Sequence, residues 1–438
     1  MTETVVRSDR NAGRRSQTRV ILASSAGHFV EWFDFALYGV SAAAIAATFF
    51  PPDRGSAALL GTLAIYGVAF LARPLGAVIF GRIGDRLGRR TALCGSVLLM
   101  GVATTAVGLL PGWASIGAAA PVLLLVCRLL QGLSAGGETT GAMTFNLEHA
   151  PSGRRALWMG FLSSSTMLGL TGATATVVIF QNVAGDSYAA SGWRWPFVIG
   201  GLLSLVALAL RLSVDETPVF TELVKEGATL KRPYSHLFRT YWRTLLVLFC
   251  YFGVVGVSTH MFLGYMPSYL GQATGLSGSP SLTILTSITL VSALTAPLFG
   301  FLSDRVGRRP MLLFGLLGVV ALTVPAYLLI STKSLVAVIA ALLILLLSGA
   351  LLSTGGIAVL EMVPADVRFS AMALPYNVAY AAFAGTAPLV SQLLVDASGN
   401  LLAPAFYATG LALLGLPVIL RGIPETKGSD LRAGIVKK

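Results

Sequence analysis

An all-α membrane protein, with twelve spanning helices arranged as two six-helix halves, is the fold class this sequence predicts. Three observations predict it: a composition too apolar for water, twelve apolar segments of spanning length, and polar loops that recur in both halves. The 438 residues are 55% hydrophobic and 11% charged, whereas a soluble domain carries roughly 25% charge. The apolar segments lie near 20–50, 57–80, 91–110, 116–147, 155–183, 194–212, 243–271, 280–302, 310–331, 334–361, 369–395 and 402–421. Each reaches the roughly 20 residues needed to cross a ~30 Å hydrocarbon core, and the longer ones imply tilt or extension into loops. The N-terminus is Arg-rich and lacks a short apolar run with a small-residue exit, so the first segment reads as a retained helix.

The longest polar stretch, about 213 to 242, separates the halves. The expected organisation is a cytoplasmic N-tail at 1–19, a first bundle at 20–212, a cytoplasmic linker at 213–242, a second bundle at 243–421 and a cytoplasmic C-tail at 422–438. Orientation follows from Lys and Arg. With the N-terminus inside, all but six of the 31 fall in the tails or inner loops. The six are Arg54, Arg73, Arg128, Arg194, Arg211 and Lys333, of which only Arg54, Arg194 and Lys333 lie in or beside outer loops. The net charge of +12 is thus a topology signal facing anionic lipid, not a nucleic-acid footprint. Cys94, Cys127 and Cys250 sit in apolar runs without metal-type spacing and read as small hydrophobes.

The loops repeat. `GRIGDRLGRR` (81–90) returns as `GFLSDRVGRR` (300–309), `EHAPSGRR` (148–155) as `EMVPADVR` (361–368), and `DETP` (215–218) finds its counterpart in `PETKG` (424–428). Parallel six-helix repeats are expected to hold a substrate near mid-membrane.

These loops, with `RLLQGLSAGGE` (128–138), resemble the major facilitator superfamily. Within it, `GHFVEWFDFALYG` (27–39), `FLARPLGAVIFGRIGDRLGRR` (70–90), `LLQGLSAGGETTGA` (129–142) and `YMPSYL` (265–270) resemble the metabolite:proton symporter family, closest to its proline/betaine-transporter branch. The resemblance covers nearly the whole chain. It implies the major facilitator fold, alternating access and proton-coupled uptake of small organic acids or zwitterions. The family usually has Asn where this chain has His28. Its osmosensing members carry a C-terminal coiled coil, and the tail to Lys438 has no heptads.

The residues carry their own argument. Glu31 lies about eleven residues into the first helix, roughly 16 Å deep. His28, Glu31 and Asp34 step by three and share one helix side. A charge at mid-membrane costs about 2.5–3.5 kcal/mol even on the lenient insertion scale, so such groups face the interior and take a proton or a cationic partner. Asp34, Glu31, Glu138 and His28 are therefore the candidate proton-coupling groups. A structural ion pair is the alternative for the first two, and a helix–helix hydrogen bond for Glu138. Arg128, at the depth of Asp34 on a helix the family places alongside, can hold Asp34 or Glu31 ionised, or fork onto a substrate carboxylate.

Gln131, Trp32, Tyr38, Tyr66, His260, Tyr265, Tyr376, Asn377 and Tyr380 complete the candidate substrate contacts. Some of the aromatic residues are candidates for a cation–π box around a quaternary ammonium, although packing is the plainer role for most. The repeated loops supply the candidate gate: Asp85, Arg86, Arg89, Glu148 and Arg155, with Asp304, Arg305, Arg308, Glu361 and Arg368. Asp85 and Asp304 are placed to hydrogen-bond a neighbouring helix N-terminus. The arginines are placed to pair with Glu148 and Glu361.

Other classes fit less well. A channel needs a filter or charged rings, and a nucleotide-driven pump needs `GxxxxGK[ST]`; neither is present. A metalloprotease-type enzyme needs `HExxH`, also absent. The reading is a secondary transporter in the cell (inner or plasma) membrane, both termini cytoplasmic. It is expected to act as a monomer on protons and a small carboxylate-bearing substrate, without cofactor or metal. An antiporter or uniporter and a non-transporting sensor remain alternatives. `MGFLSSSTMLGLTGATA` (159–175) lacks the Gly/Pro-rich antiporter signature, which favours symport. The helix that carries it offers Ser163, Ser164, Ser165 and Thr166 but no second Arg, which favours a monocarboxylate or zwitterion.

Overall fold

The computed structural model describes residues 2–51, 55–227, 233–276 and 279–434. Arg54, Lys231, Arg232, Lys437 and Lys438, all counted in the charge argument, lie outside them. So do the side chains of the N-tail arginines up to Arg15.

All regular secondary structure among the described residues is helical. In chain order the helices are α1 (Thr2–Val40), α2 (Ala42–Phe49), α3 (Gly55–Arg86), α4 (Arg89–Leu109), α5 (Trp113–Ile116), α6 (Ala119–His149), α7 (Arg155–Ala184), α8 (Trp195–Leu212), α9 (Pro218–Lys225) and α10 (Pro233–Thr240). They continue as α11 (Trp242–His260), α12 (Met266–Thr274), α13 (Ser279–Val306), α14 (Arg308–Ser331), α15 (Leu335–Gly355), α16 (Ile357–Glu361), α17 (Arg368–Ala379), α18 (Ala387–Ser398) and α19 (Ala403–Gly422). Among the described residues, eleven helices are long and apolar enough to span a membrane. A twelfth span is the α1–α2 pair, bent by 65°. Twelve spans were expected, the first as a single retained helix near 20–50; it breaks at Ser41.

Two spans contain a π-helical turn. Met261–Tyr265 joins α11 to α12, and Tyr380–Ala384 precedes α18. In each case a proline follows near the start of the next helix, Pro267 in α12 and Pro388 in α18. A proline ring clashes with the carbonyl four residues earlier. Here those residues are Leu263 and Ala384, both inside the widened turns, so the π-turn supplies the room an α-turn lacks.

The chain divides into two compact units, Met1–Ala150 with Ser165–Lys231, and Pro151–Ser164 with Arg232–Lys438, so α7 contributes to both. In the first unit, α1 packs against α6 and α8. The α6 face is stripped of side chains where it meets α3: a Cβ at Gly132 or Gly136 would collide with the backbone at Ala69 or Arg73. In the second unit, α14 and α15 meet in the same way at Gly315 and Gly355. Small residues let backbones approach, as membrane helices need where apolar burial between helices gives no gain over lipid. Large apolar side chains point outward instead, Val183 and Leu414 among the most exposed.

Candidate functional site

Away from its repeated loops, the first unit buries three carboxylates, Asp34, Glu31 and Glu138, against three arginines. On α1, Asp34 accepts hydrogen bonds from Thr104 of α4 and Gln131 of α6, each at 2.6 Å, while Arg128 of α6 stands farther off at 3.5 Å. Arg128 and Gln131 share a face of α6 three residues apart, and Arg128 also donates to the Gln131 Oε1 at 2.9 Å. The Arg128 guanidinium is fully buried, with Tyr38, Phe35 and Tyr66 rings 4.2, 5.2 and 5.3 Å from it. Its Nε and Nη2 have no hydrogen-bond partner among the described residues. Tyr38 and Tyr66 thus stack on the protein's own cation. Tyr38 further donates to the Thr62 carbonyl at 3.2 Å.

One turn toward the N-terminus of α1, Glu31 accepts from Arg73 of α3 at 3.1 Å and from Thr139 of α6 at 2.7 Å. The His28 Nδ1 lies 3.7 Å from it. The other His28 ring nitrogen meets the Thr166 hydroxyl at 2.8 Å, and Trp32 lies edge-on to the His28 ring. Arg73 stacks on Phe35 and Phe70, its Nε and Nη1 also unpartnered. Glu138 of α6 pairs with Arg211 of α8 and accepts from Ser96 of α4. The string `GLSAG` (132–136) matches a hydrolase nucleophile pattern, but Ser134 is buried in mid-helix and donates to the Ser96 carbonyl at 2.6 Å. That is a packing bond in mid-helix, unlike the strand–turn–helix the pattern requires.

The second unit has a different chemistry at its candidate residues. The His260 ring, at the end of α11, lies edge-on to Tyr380 at 5.4 Å. Tyr380 stacks on Tyr376 at 4.1 Å, and Phe252 meets Tyr376 edge-on. His260 bonds the Gly256 carbonyl through Nδ1, and Asn377 donates to the Ala373 carbonyl. Tyr265 belongs to another cluster, with Tyr269 and Tyr327. A cavity of about 30 Å³ lies beside it, lined by Ser258, Met261, Thr323 and Tyr327 among others.

The repeated loops build matching clusters. Arg89 lies 3.4 Å from both Asp85 and Glu148, and Glu148 accepts from Thr217 at 2.6 Å. Arg308 lies 3.0 Å from Asp304 and 3.1 Å from Glu361, which also accepts from Thr426. Glu216 accepts from the backbone N–H groups of Arg89 and Arg90, and Glu425 from those of Arg308 and Arg309. Each glutamate thereby caps a helix N-terminus with negative charge. The glycine before each of these helices, Gly88 (φ 111°) and Gly307 (φ 114°), adopts a backbone closed to other residues. A Cβ there would also strike the capping carboxylate.

Within the second unit, Asp304 accepts from the Ala156 and Leu157 N–H groups at the start of α7, at 3.1 and 2.9 Å. Arg155 reaches Glu361 at 3.3 Å and the Ser429 carbonyl at 2.9 Å. Arg368 donates to the carbonyls of Leu360, Val363 and Leu431. Arg86 and Arg305 are exposed, Arg305 lying over the Phe301 ring.

The two capping glutamates differ in acidity. Burial pushes the Glu216 carboxyl above its ordinary value, outweighing the N–H bonds from Thr217 and Arg90 and the charge of Arg89. Burial acts on Glu425 too, but backbone N–H bonds from Arg308, Lys427, Arg309 and Thr426 outweigh it and hold the carboxyl below its ordinary value.

The Major Facilitator Superfamily matches residues 25–345 and 255–435 of this chain. The chain is 35% identical to the proline/betaine transporter of Escherichia coli (strain K12), over 91% of this chain and 82% of the relative. It is 34% identical to a putative proline/betaine transporter of Staphylococcus haemolyticus (strain JCSC1435), over 94% and 89%. The chain belongs to the Major Facilitator Superfamily. This facilitator is a multi-pass membrane transporter, not an enzyme. Its fold superposes on that of the proton:xylose symporter XylE with a TM-score of 0.80, at 17% identity, covering 96% of this chain and 98% of the other.

In this facilitator the structure brings Asp34, Arg128, Gln131, Tyr38 and Tyr66 into one cluster, and joins His28, Trp32 and Glu31 in the next. Sequence reasoning did not pair Glu31 with Arg73 or Glu138 with Arg211, and did not find Thr104, Thr139 or Ser96. The signal for the arginines was present: Arg73 and Arg211 are, with Arg128, the basic residues left in apolar segments once loops are assigned. Nor were Glu216, Thr217, Glu425 and Thr426 recognised as partners of the loops, although `DETP` and `PETKG` were seen as a repeat.

Proposed function

We propose that this facilitator is a proton-coupled symporter that takes up a small zwitterion or monocarboxylate of the proline/betaine kind. It would do so across the cell (inner or plasma) membrane, with both termini cytoplasmic. The observation that carries the reading is the buried cluster of Asp34, Thr104, Gln131 and Arg128. Asp34 is held mainly by neutral donors, with Arg128 at 3.5 Å and two guanidinium nitrogens unused. Unsatisfied buried donors are costly, and a planar fork with free donors suits a carboxylate. When the substrate carboxylate engages Arg128, the hold on Asp34 weakens and Asp34 takes a proton. The loaded cluster is then closer to neutral and cheaper to carry through a closed state.

The names of the relatives, and the description of XylE as a proton symporter, support the substrate kind and the coupling ion. His260, Tyr376, Asn377 and Tyr380 of the second unit, and Tyr265 apart from them, are proposed substrate contacts in their own right. The loop clusters around Arg89 and Arg308 are proposed as gating elements that form and part during the cycle, Asp304 and Arg155 holding the start of α7.

The test uses purified protein in proteoliposomes with radiolabelled glycine betaine and proline. Accumulation should follow an imposed inward proton gradient and collapse with a protonophore. Uptake that ignores the proton gradient and follows sodium overturns the coupling. Failure to move either compound, with a screened monocarboxylate accepted, overturns the zwitterion and keeps the symporter.

A further inference from the structure

Resting on the symport reading, we infer that Arg73 is a positioning residue that keeps Glu31 a fixed, ionised strut, leaving Asp34 as the acid that changes protonation. The two acids sit one turn apart on α1 and are both fully buried, yet they are held differently. Glu31 has a full charge-assisted hydrogen bond to Arg73 at 3.1 Å on one oxygen and a hydroxyl bond from Thr139 at 2.7 Å on the other. The Arg73 guanidinium is pinned by the Phe35 and Phe70 rings, 4.4 and 5.0 Å away. Asp34 receives its short bonds from neutral Thr104 and Gln131, and its arginine is 3.5 Å off. A bond of that length is at the limit of a hydrogen bond, and charge-assisted pairs are ordinarily shorter. A neutral Thr or Gln partner tolerates either protonation state, because a hydroxyl or an amide can turn to accept. An arginine in direct contact cannot.

The charged surroundings agree. Glu31 faces His28 on its own helix, Arg73 on α3, and Glu138 on α6, which is itself matched by Arg211 on α8. Asp34 faces Arg128 on α6 and Glu31 on α1, with Tyr66 of α3 nearby. Arg128 also donates to Gln131, so its hold on Asp34 is already shared. Protonating Glu31 would strand Arg73, whose other two donors are buried without partners. Protonating Asp34 leaves Arg128 with Gln131 and with whatever anion the substrate brings.

The experiment reads carboxyl protonation directly, so it does not depend on knowing the substrate. Infrared difference spectra are recorded on the full-length protein in proteoliposomes, stepped between acid and alkaline pH. The wild type should show a buried protonated-carboxyl band that survives in Glu31→Gln and disappears in Asp34→Asn. Arg73→Gln should gain a second such band, from Glu31 left without its cation. The neutral double variant Glu31→Gln/Arg73→Gln should return to one band, since it removes the acid along with its cation. Should Arg73→Gln fail to fold, the double variant and Arg73→Lys, which keeps the charge and should show one band, decide the matter. A band lost in Glu31→Gln and kept in Asp34→Asn overturns the inference. So does a band surviving in both, which would point to Glu138. A wild type that accumulates substrate without responding to a proton gradient removes the symport reading itself.

Discussion

The two units repeat their loop clusters almost residue for residue, while the candidate residues within their helices differ in kind. Arg89, Asp85, Glu148 and Glu216 of the first have counterparts in Arg308, Asp304, Glu361 and Glu425 of the second, down to the left-handed glycine before each capped helix. Deeper in, the first unit buries Asp34, Glu31 and Glu138 against Arg128, Arg73 and Arg211. The second places His260, Tyr376, Tyr380 and Phe252 in ring contacts. The repeat is kept in the loop clusters and not in the buried helical residues, which is the pattern expected if the loops serve the proposed gate in both halves. This division fits the proposal of a symporter for a proton and a small zwitterion or monocarboxylate.

The sharpest way to break that contrast is to neutralise the ionic half. Asp34→Asn should abolish gradient-driven accumulation while sparing exchange of substrate across the membrane. Arg128→Ala should weaken substrate binding itself. A buried charge-assisted hydrogen bond is worth about 1.5–3 kcal/mol, roughly a tenfold to hundredfold loss of affinity. Exchange and net accumulation measured side by side in proteoliposomes check both. An Asp34→Asn protein that still concentrates substrate places the proton elsewhere.

The loops come next. Asp85→Asn and Asp304→Asn should slow turnover strongly and leave substrate affinity near normal, because each removes a clamp and not a ligand. The Asp304 change weakens two charge-assisted bonds to the start of α7. Transport rate and binding, measured separately, decide it; normal turnover in both would leave the loops as topology signals alone.

A smaller effect should come from the aromatic half. Tyr380→Ala should weaken binding of a quaternary ammonium substrate by about 0.5–2 kcal/mol, roughly twofold to thirtyfold. The ratio of protons to substrate should be unchanged. A changed ratio would mean that coupling is not confined to the first unit.

How much of this was legible follows from where the physics is local. The spans could be read because apolar length is a local property, and Asp34, Glu31, Glu138 and Arg128 stood out because a charge in an apolar run is expensive wherever the helix faces. The pairings could not be read. Whether Arg73 meets Glu31 or Asp34 depends on the rotation of α3 against α1, and one turn of helix separates the two acids. Thr104 and Ser96 are hydroxyls among many and carry no signal until a carboxylate sits beside them. The π-turns had a partial signal in Pro267 and Pro388, but a proline can equally kink or end a helix. The break at Ser41 had none that we can identify.

The smallest expected effect lies in the pair that looks most alike, Glu216 and Glu425. Both cap the helix after a `DRxGRR` loop, but Glu425 is held below its ordinary value by backbone N–H bonds and Glu216 is pushed above it by burial. The unfolded reference for both is about 4.3. A carboxyl lowered on folding adds stability that is present above that reference and lost as the pH falls through the folded value. A raised one adds stability that is full below the reference and lost as the pH rises through its folded value. Glutamine removes the titration in either case. The wild type should therefore be more thermostable than Glu425→Gln at neutral pH, with the gap closing on acidification toward and below about pH 4. Against Glu216→Gln the trend reverses: the wild type should gain relative stability as the pH falls from neutral. Thermal unfolding of the three proteins in detergent, followed from pH 7.5 down to about 4, measures both slopes. Parallel slopes would mean that the two caps are electrostatically equivalent, and that the units differ only at mid-membrane.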